Sequence, residues 1–249
     1  NDIESQLASD VPLGVFLSGG IDSSIILGVI TQILGKKYPS FSIDFKNKNY
    51  SESEKFISVA KAYNSDHFIY EVDDNMIEYV DIMLSACDEP FGDMAALPTY
   101  LLSLHSSKMI KVALSGDGSD EYMFGYAHHG FKNQTKNFFE SRLLHSLLKL
   151  IPIFHPKQFS LLYRTKPNDY SSPKNLYQIL LKRIIKNSKY NTRKNYTSLV
   201  QYDRKNYLPD NILYKTDRMS MFASLETRVP FLGNKTVSVA KKIPHHFQV

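Results

Sequence analysis

Residues 11–34 read VPLGVFLSGGIDSSIILGVITQIL, and this stretch decides the fold. Its opening run, VPLGVFL, is apolar and is typical of a buried strand. From Ser24 to Leu34 the residues are apolar on nearly every side, which predicts a buried helix. Residues 18–24 (SGGIDSS), hereafter the first loop, connect the two. A buried strand that passes through a short loop into a buried helix begins a βαβ unit, so we expect a parallel sheet.

The alternation of strands and helices continues along the chain. Further strands are expected at Ser40–Phe45, Asp66–Val72 and Ile110–Leu114. Helices are expected at Ser53–Asn64, at Asn75–Ala86 and from Pro98 to about His105. Parallel sheets of this kind bind ligands beyond the carboxyl ends of their strands. Two loops with unusual chemistry follow strands at that edge, namely the first loop and residues 115–121, hereafter the second loop.

The first loop suits a phosphate chain. Gly19 and Gly20 allow the backbone to approach a ligand closely, and the N–H groups that begin the following helix point toward an anion. The loop is not of the Walker type, which ends in Gly-Lys-Ser or Gly-Lys-Thr, because it contains no lysine. A metal would therefore have to neutralise the phosphate charge, and Asp22 is the obvious ligand. The alternative is a plain strand-to-helix turn in which Asp22 or Ser23 caps the helix.

The second loop (SGDGSDE) brings three carboxylates close together: Asp117, Asp120 and Glu121. Packed carboxylates repel one another unless they are separated or share a cation. A parallel sheet would place this loop beside the first loop. Asp22 and Asp120 could then bridge Mg²⁺ to a nucleotide's phosphates. The alternative is a polar turn whose acids are solvated.

The composition excludes several classes of protein. The 249 residues allow one large domain or two small ones, and 43% hydrophobic and 22% charged residues are ordinary values for a globular protein. Cys87 is the only cysteine, which excludes a disulfide scaffold and a CxxC zinc site and fits a reducing compartment. No apolar run approaches the roughly 20 residues that cross a bilayer. We therefore expect a cytoplasmic protein that does not bind membranes.

The net charge of +5 hides an asymmetry along the chain. Residues 1–130 contain 8 Lys or Arg and 19 Asp or Glu, whereas residues 131–206 contain 16 and 3. The basic stretch could be an arm that binds nucleic acid, a solvated helical face, or a surface that meets an acidic region. No nucleic-acid-binding motif accompanies the charge, so we predict no nucleic-acid partner.

The pattern changes after residue 130. No alternation there predicts a strand, and we divide the chain into an α/β nucleotide-binding core, residues 1–130, and a helical part, residues 131–249. In the second part, helices are expected at Phe138–Leu150, Leu176–Ile185 and Val237–Lys242.

Several further blocks of sequence stand out beside the first loop. They are residues 88–93 (DEPFGD), 97–103 (LPTYLLS), 114–121 (LSGDGSDE), 217–221 (DRMSM) and 224–232 (SLETRVPFL). In this order they resemble the glutamine-hydrolysing asparagine synthetases, a branch of the ATP pyrophosphatases or PP-loop proteins. The resemblance spans nearly the whole chain, although residues 131–206 resemble nothing that we can name.

The resemblance implies a fold and a reaction. The fold would be α/β, a parallel five-stranded sheet flanked by helices (adenine nucleotide α-hydrolase-like), with a largely helical second half. A carboxylate, foremost the side chain of aspartate, would attack Mg-ATP and release pyrophosphate, and ammonia would then displace AMP to give asparagine. Two alternatives stay open. One is a related amidotransferase that acts on a sugar acid, a peptide or a β-amino acid, and the other is an inactive nucleotide-binding relative.

The same resemblance implies the residues of the site. Asp22 and Asp120 would bind Mg²⁺, and Asp117 and Glu226 would be catalytic. The residues that would hold the nucleotide are Leu17, Ser18, Gly19, Gly20, Asp22, Ser23, Ser24, Ile43, Ser115 and Gly116.

For both predicted catalytic residues, Asp117 and Glu226, the sequence leaves an alternative open. Asp117 stands where well-known asparagine synthetases have a glutamate that is tied to formation of the acyl-adenylate, which marks a subfamily and leaves the acceptor open. Met94 stands where some members have an arginine that holds the substrate carboxylate. For Glu226, an ion pair with Arg228 or Arg218 is the alternative to a catalytic role.

The resemblance also implies parts beyond this sequence. Glutamine-dependent members begin with a glutaminase domain, and a lysine loop downstream of the RVPFL block normally completes the synthetase site. We therefore expect a piece truncated at both ends that binds ATP but makes little or no amide product alone, and whose small-molecule substrates are ATP, aspartate and ammonia. A homodimer is a candidate assembly.

Overall fold

A parallel sheet of five strands forms the centre of the molecule in the computed structural model. The structure describes residues 1–47, 51–89, 91–126 and 200–243. The strands are β1 (Leu13–Phe16), β2 (Ser40–Phe45), β3 (His67–Val72), β4 (Val112–Leu114) and β5 (Glu226–Arg228), in the spatial order β3-β2-β1-β4-β5. All neighbouring pairs are parallel, so the carboxyl ends of the strands share one edge. The predicted fold class is confirmed.

The fifth strand corrects a prediction from the sequence. The prediction that no strand follows residue 130 is wrong, because Glu226–Arg228 extends the sheet beside β4. Val112 lies opposite Glu226 and Leu114 lies opposite Arg228. Three residues are too few to show an alternating pattern, and only pairing with β4 defines this strand.

The helices agree with the sequence predictions in most places. The predicted helix Asn75–Ala86 is a 3₁₀ turn followed by an α-helix, and the predicted helices Phe138–Leu150 and Leu176–Ile185 lie outside the described residues. Within the described ranges, no helix is long and apolar enough to cross a membrane. The α-helices are α1 (Asp2–Gln6), α2 (Ile21–Gly28), α3 (Ser53–Ala62), α4 (Val80–Ser85), α5 (Ala96–Ser106), α6 (Ser119–Met123), α7 (Tyr214–Phe222) and α8 (Asn234–Ala240). Val29–Ile33 and Asp203–Leu213 are π-helical, and Asp74–Tyr79 and Pro230–Leu232 are 3₁₀ turns.

The central strands β1 and β4 are buried on both faces, as strands of parallel sheets usually are. Along β1, Leu13 and Val15 face a core cluster that α2 and α3 complete with Ile26, Leu27 and Phe56. The alternate side chains of β1 and β4 face the opposite side, where Phe16 and Ala113 pack with Phe41, Ile110 and Leu225. A third cluster joins α4, α5 and α7 through Met83, Leu97, Leu101 and Met219. This burial fixes the strand register, because a slip of one residue would exchange the two faces.

The first helix holds the last strand and the last helix in place. The carboxylate of Asp2 accepts hydrogen bonds from the N–H of Thr236 at 2.6 Å and from its hydroxyl at 2.8 Å. Arg228 Nη1 donates to the carbonyls of Gln6 at 2.6 Å and Ala8 at 2.7 Å. Residues from the two ends of the described chain therefore secure the β5 edge of the sheet.

Candidate functional site

A cavity of about 270 Å³ lies at the carboxyl ends of β1, β2 and β4. Small-molecule sites commonly enclose about 300–1,000 Å³, so this cavity is at the small end of that range. Residues from α5 and α7 also line it, among them Thr99, Leu102 and Thr216. Of the residues predicted from the sequence, those that line the cavity are Leu17, Ser18, Ser23, Ile43, Ser115, Gly116 and Asp117.

The first loop is closed by hydrogen bonds among its own residues. Ser18 Oγ accepts the N–H of Gly20 at 3.2 Å, and the hydroxyl of Ser23 donates to the Gly20 carbonyl at 3.2 Å. The hydroxyl of Ser24 donates to the same carbonyl at 2.6 Å. Gly20 is the N-cap residue of α2 and no side chain caps this end, so the predicted alternative of a cap by Asp22 or Ser23 is not observed. An uncapped helix start keeps its first N–H groups available for an anion.

Gly19 is required where the first loop meets α3. Its φ is +77°, a left-handed conformation that favours glycine. A Cβ at this position would lie 2.6 Å from Phe56 N and 2.7 Å from Lys55 Cβ. The amino end of α3 therefore packs directly against the first loop, and backbone atoms leave no room for a side chain at position 19.

The two loops touch, as the parallel sheet predicts. A Cβ at Gly116 would lie 3.1 Å from Asp22 Cβ and 3.2 Å from Ser23 N. The second loop thus passes against the start of α2. Four other residues predicted to hold the nucleotide do not line the cavity, although they are neighbours of Ser18 and Ser23 in the first loop: Gly19, Gly20, Asp22 and Ser24.

Asp117 lines the cavity in a fixed orientation. Its Oδ2 accepts hydrogen bonds from the Ser115 hydroxyl at 2.9 Å and from the Thr216 hydroxyl at 2.7 Å. Thr216 comes from α7 and is buried. A carboxylate that is held by two hydroxyls is preorganised, which favours a role in positioning or binding.

The predicted metal ligands lie on the two touching loops. Both Asp22 and Asp120 are half-buried, and the Asp120 carboxylate faces the backbone of Gly125. Among the described residues, no group of three or more His, Cys, Asp or Glu could hold a metal ion. Mg²⁺ that arrives with a nucleotide usually takes only one or two protein carboxylates, since phosphates and water complete its ligands. The donor set of the two aspartates fits that type of site.

Of the two predicted catalytic residues, Asp117 lines the cavity and Glu226 does not. Glu226 lies at the first position of β5, whereas the cavity is at the carboxyl ends of the strands, and it is not among the lining residues. Arg228 Nε donates to Glu226 Oε1 at 2.7 Å, so the alternative of an ion pair with Arg228 is observed. Strand direction explains this position, because the first residue of a parallel strand lies at the edge of the sheet opposite to the one that binds ligands.

The cavity contains a buried lysine, Lys215, that the sequence analysis did not predict as a site residue. Lys215 lines the cavity with only 8% of its surface exposed, and its ammonium lies 3.7 Å from Asp93 Oδ2. Buried lysines are usually paired, as this one is with Asp93, and its place in the cavity makes it a further candidate for a functional residue. Its one signal in the sequence is its position just before the DRMSM block that begins at Asp217.

The second loop continues into a short helix, α6, that is held from elsewhere in the chain. Glu121 is almost completely buried, and burial raises the pKa of its carboxyl group. Its Oε1 accepts the hydroxyl of Tyr126 at 2.6 Å, and its carbonyl accepts Arg204 Nε at 2.8 Å. The guanidinium of Arg204 also stacks on the Tyr122 ring, 4.5 Å from its centroid. Arg204 belongs to the basic stretch 131–206, and here its charge stabilises the carboxyl end of a helix.

The model of one protein family, described as asparagine synthase, matches residues 2–249. The chain belongs to this family. An asparagine synthetase [glutamine-hydrolyzing] 1 from Bacillus subtilis is 30% identical over 272 residues, which cover 98% of this chain and 42% of the relative. A putative asparagine synthetase [glutamine-hydrolyzing] 2 from Methanocaldococcus jannaschii is 39% identical over 129 residues, 51% of this chain and 25% of the relative. The chain therefore spans less than half the length of these curated relatives.

Among solved structures, an NH3-dependent NAD synthetase from Campylobacter jejuni shares 16% sequence identity with this member of the asparagine synthase family. The TM-score is 0.35, and the match covers 66% of this chain and 87% of the other.

Proposed function

We propose that this protein binds ATP in the cavity and uses it to convert a carboxylate into an amide. The carboxylate is foremost the side chain of aspartate, which makes the product asparagine. One observation carries the proposal: the cavity at the carboxyl edge of the sheet is lined by residues of both loops, in a chain of the asparagine synthase family. The ends of parallel strands are where such sheets bind nucleotides.

The nucleotide would lie across the three strand ends. Leu17 and Ile43 would contact adenine and ribose, together with Ser115 and Gly116. The first loop would hold the phosphates through the amide groups that begin α2 and through Ser18, as anions are held at the start of a helix. The closed hydrogen bonds of this loop support the assignment, because the amides need little rearrangement to accept an anion.

Mg²⁺ would accompany the nucleotide. Asp22 and Asp120 would hold it, and it would neutralise charge on the phosphates. The contact of Gly116 with Asp22 supports this role, since it keeps the two carboxylate-bearing loops together.

Asp117 and Lys215 would handle the acceptor. The acceptor carboxylate would attack the α-phosphorus and release pyrophosphate, and ammonia would attack the resulting acyl-adenylate and release AMP. Asp117, fixed by Ser115 and Thr216, would orient the acceptor or the incoming amine. Lys215 would supply positive charge beside the acyl-adenylate.

The nitrogen would come from glutamine in a longer protein. The matching relatives are named as glutamine-hydrolysing enzymes, and the chain covers 42% of the one from Bacillus subtilis. We therefore propose a glutaminase domain as the partner of this domain. The cytoplasmic location and the homodimer remain predictions.

Exchange of labelled pyrophosphate into ATP tests this function. With Mg²⁺ present, we expect exchange that requires aspartate, because the label returns to ATP only through an adenylated acceptor. Asp22→Asn should abolish most of the exchange. Exchange that requires a β-amino acid, a sugar acid or a peptide instead would identify a related amidotransferase, and ATP binding without any exchange would identify the inactive relative.

A further inference from the structure

Lys55 brings a positive charge to the first loop, which contains no lysine of its own. It lies in the first turn of α3, the helix whose amino end packs against Gly19. Lys55 Cβ would be only 2.7 Å from a Cβ at position 19, so the stem of this lysine starts at the surface of the loop. The side chain itself is 62% exposed and is free to change its direction.

The present partner of Lys55 is a residue of the cavity. Lys55 Nζ contacts Glu52 Oε1 at 2.6 Å, and Glu52 lines the cavity. The Glu52 side chain is 56% exposed, and exposed ion pairs of this kind contribute only about 0–1 kcal/mol. The pair is therefore weak, and a more highly charged anion nearby would compete for the ammonium group.

Lys215, the lysine that lines the cavity, is less available for an anion at the first loop. Lys215 is buried beside Asp93, which compensates its charge. A polyphosphate at the first loop carries several negative charges and needs cations within a few ångströms. In the part of the chain that the structure describes, Lys55 is an exposed cation whose stem packs against this loop.

We propose that Lys55 is a phosphate-binding residue whose ammonium group leaves Glu52 for the polyphosphate of the nucleotide, or for released pyrophosphate, at the first loop. This inference rests on the proposed function, since it assumes that the first loop binds phosphate. No covalent step is involved, because one ion pair is exchanged for another.

Titration calorimetry with inorganic pyrophosphate and with ATP, both in Mg²⁺ buffer, tests the exchange. Lys55→Met should weaken both affinities by about fivefold to tenfold, the scale of a lost charge-assisted contact that is partly screened. Lys61→Met is the matched control, because Lys61 is an exposed lysine in the last turn of the same helix, and its affinities should be unchanged. Lys55→Arg should retain most of the affinity.

The direction in which Glu52→Gln changes pyrophosphate affinity distinguishes this exchange from a structural role of the ion pair. If Lys55 must leave Glu52, removal of the carboxylate should tighten pyrophosphate binding by about twofold to fivefold, and in Lys55→Met the same change should have no such effect. If the ion pair of Lys55 and Glu52 only supports the structure, pyrophosphate binding should weaken in Lys55→Met and also in Glu52→Gln.

The failure of this inference is distinguishable from the failure of the proposed function. Wild-type binding that Lys55→Met leaves unchanged overturns the inference alone. A wild-type protein that binds neither pyrophosphate nor ATP overturns both.

Discussion

The two loops at the carboxyl edge of the sheet are held in different ways. The first loop is closed by hydrogen bonds of its own serines and packs against α3, and these supports lie within the first 56 residues. The second loop depends on residues about a hundred positions away, such as Thr216, which binds Asp117, and Leu232, which packs against Gly118. One loop is therefore a local structure, whereas the other takes its shape only when the end of the chain has docked.

The largest effect is expected from Gly19→Ala in the first loop. The new Cβ would meet backbone atoms of Lys55 and Phe56 and would also sit at a φ of +77°, so we expect a loss of more than about 3 kcal/mol in stability and no measurable ATP binding. Urea denaturation measures the stability, and titration calorimetry measures ATP binding. Gly35→Ala is the control, because its φ is +62° but its Cβ would have open space, which limits the cost to about 1–2 kcal/mol. Equal losses in the two variants would contradict the close contact.

In the second loop, Gly118→Ala should lower the stability by less than Gly19→Ala does, and a second substitution should restore part of the loss. Its φ is +86°, and the new Cβ would lie 2.5–3.0 Å from side-chain atoms of Leu232. We expect about 2–3 kcal/mol, since a side chain can shift where a backbone cannot. Leu232→Ala in the same protein should recover part of the loss relative to the two single variants. Additive losses in urea denaturation would show that Leu232 does not shape this loop.

Thr216→Val tests whether the second loop is fixed from a distance. Loss of the hydrogen bond to Asp117 should reduce pyrophosphate exchange by about tenfold with little change in ATP affinity, because a hydrogen bond to a charged group contributes about 1.5–3 kcal/mol and part of it is replaced by water. Thr216→Ser keeps the hydroxyl and should keep most of the activity. If ATP affinity falls as much as exchange does, Asp117 belongs to the nucleotide site and not to the acceptor site.

The smallest effect is expected from Glu226→Gln, outside both loops. Glu226 is 53% exposed and pairs with Arg228, so we expect a change in stability within about 0.5 kcal/mol and in exchange within about twofold. A tenfold or greater loss of exchange would support the catalytic role that the family resemblance implies for this residue.

Sequence reasoning succeeded where a structure is local. The strands β1 to β4 follow from apolar or alternating segments, and the first loop follows from its own residues between a strand and a helix. It failed where an element is defined by a distant partner. The strand β5 is visible only beside β4, and the place of Lys215 in the cavity depends on how α7 packs, which periodicity does not show. Glu226 illustrates the same limit, because a motif gives the residue but not the end of the strand on which it lies.

The late position of β5 has a consequence for biosynthesis. The first four strands are complete at Leu114, but the strand that covers β4 begins only at Glu226 and is secured by contacts that join Arg228 to Gln6 and Thr236 to Asp2. At about 5–20 residues per second, a ribosome needs roughly 6–22 s to make the intervening chain. During that time the edge of β4 that faces away from β1 lacks its native partner, and an unpaired strand edge is a template for association with other chains. The interval between the fourth and fifth strands is therefore when the nascent protein most needs protection from aggregation.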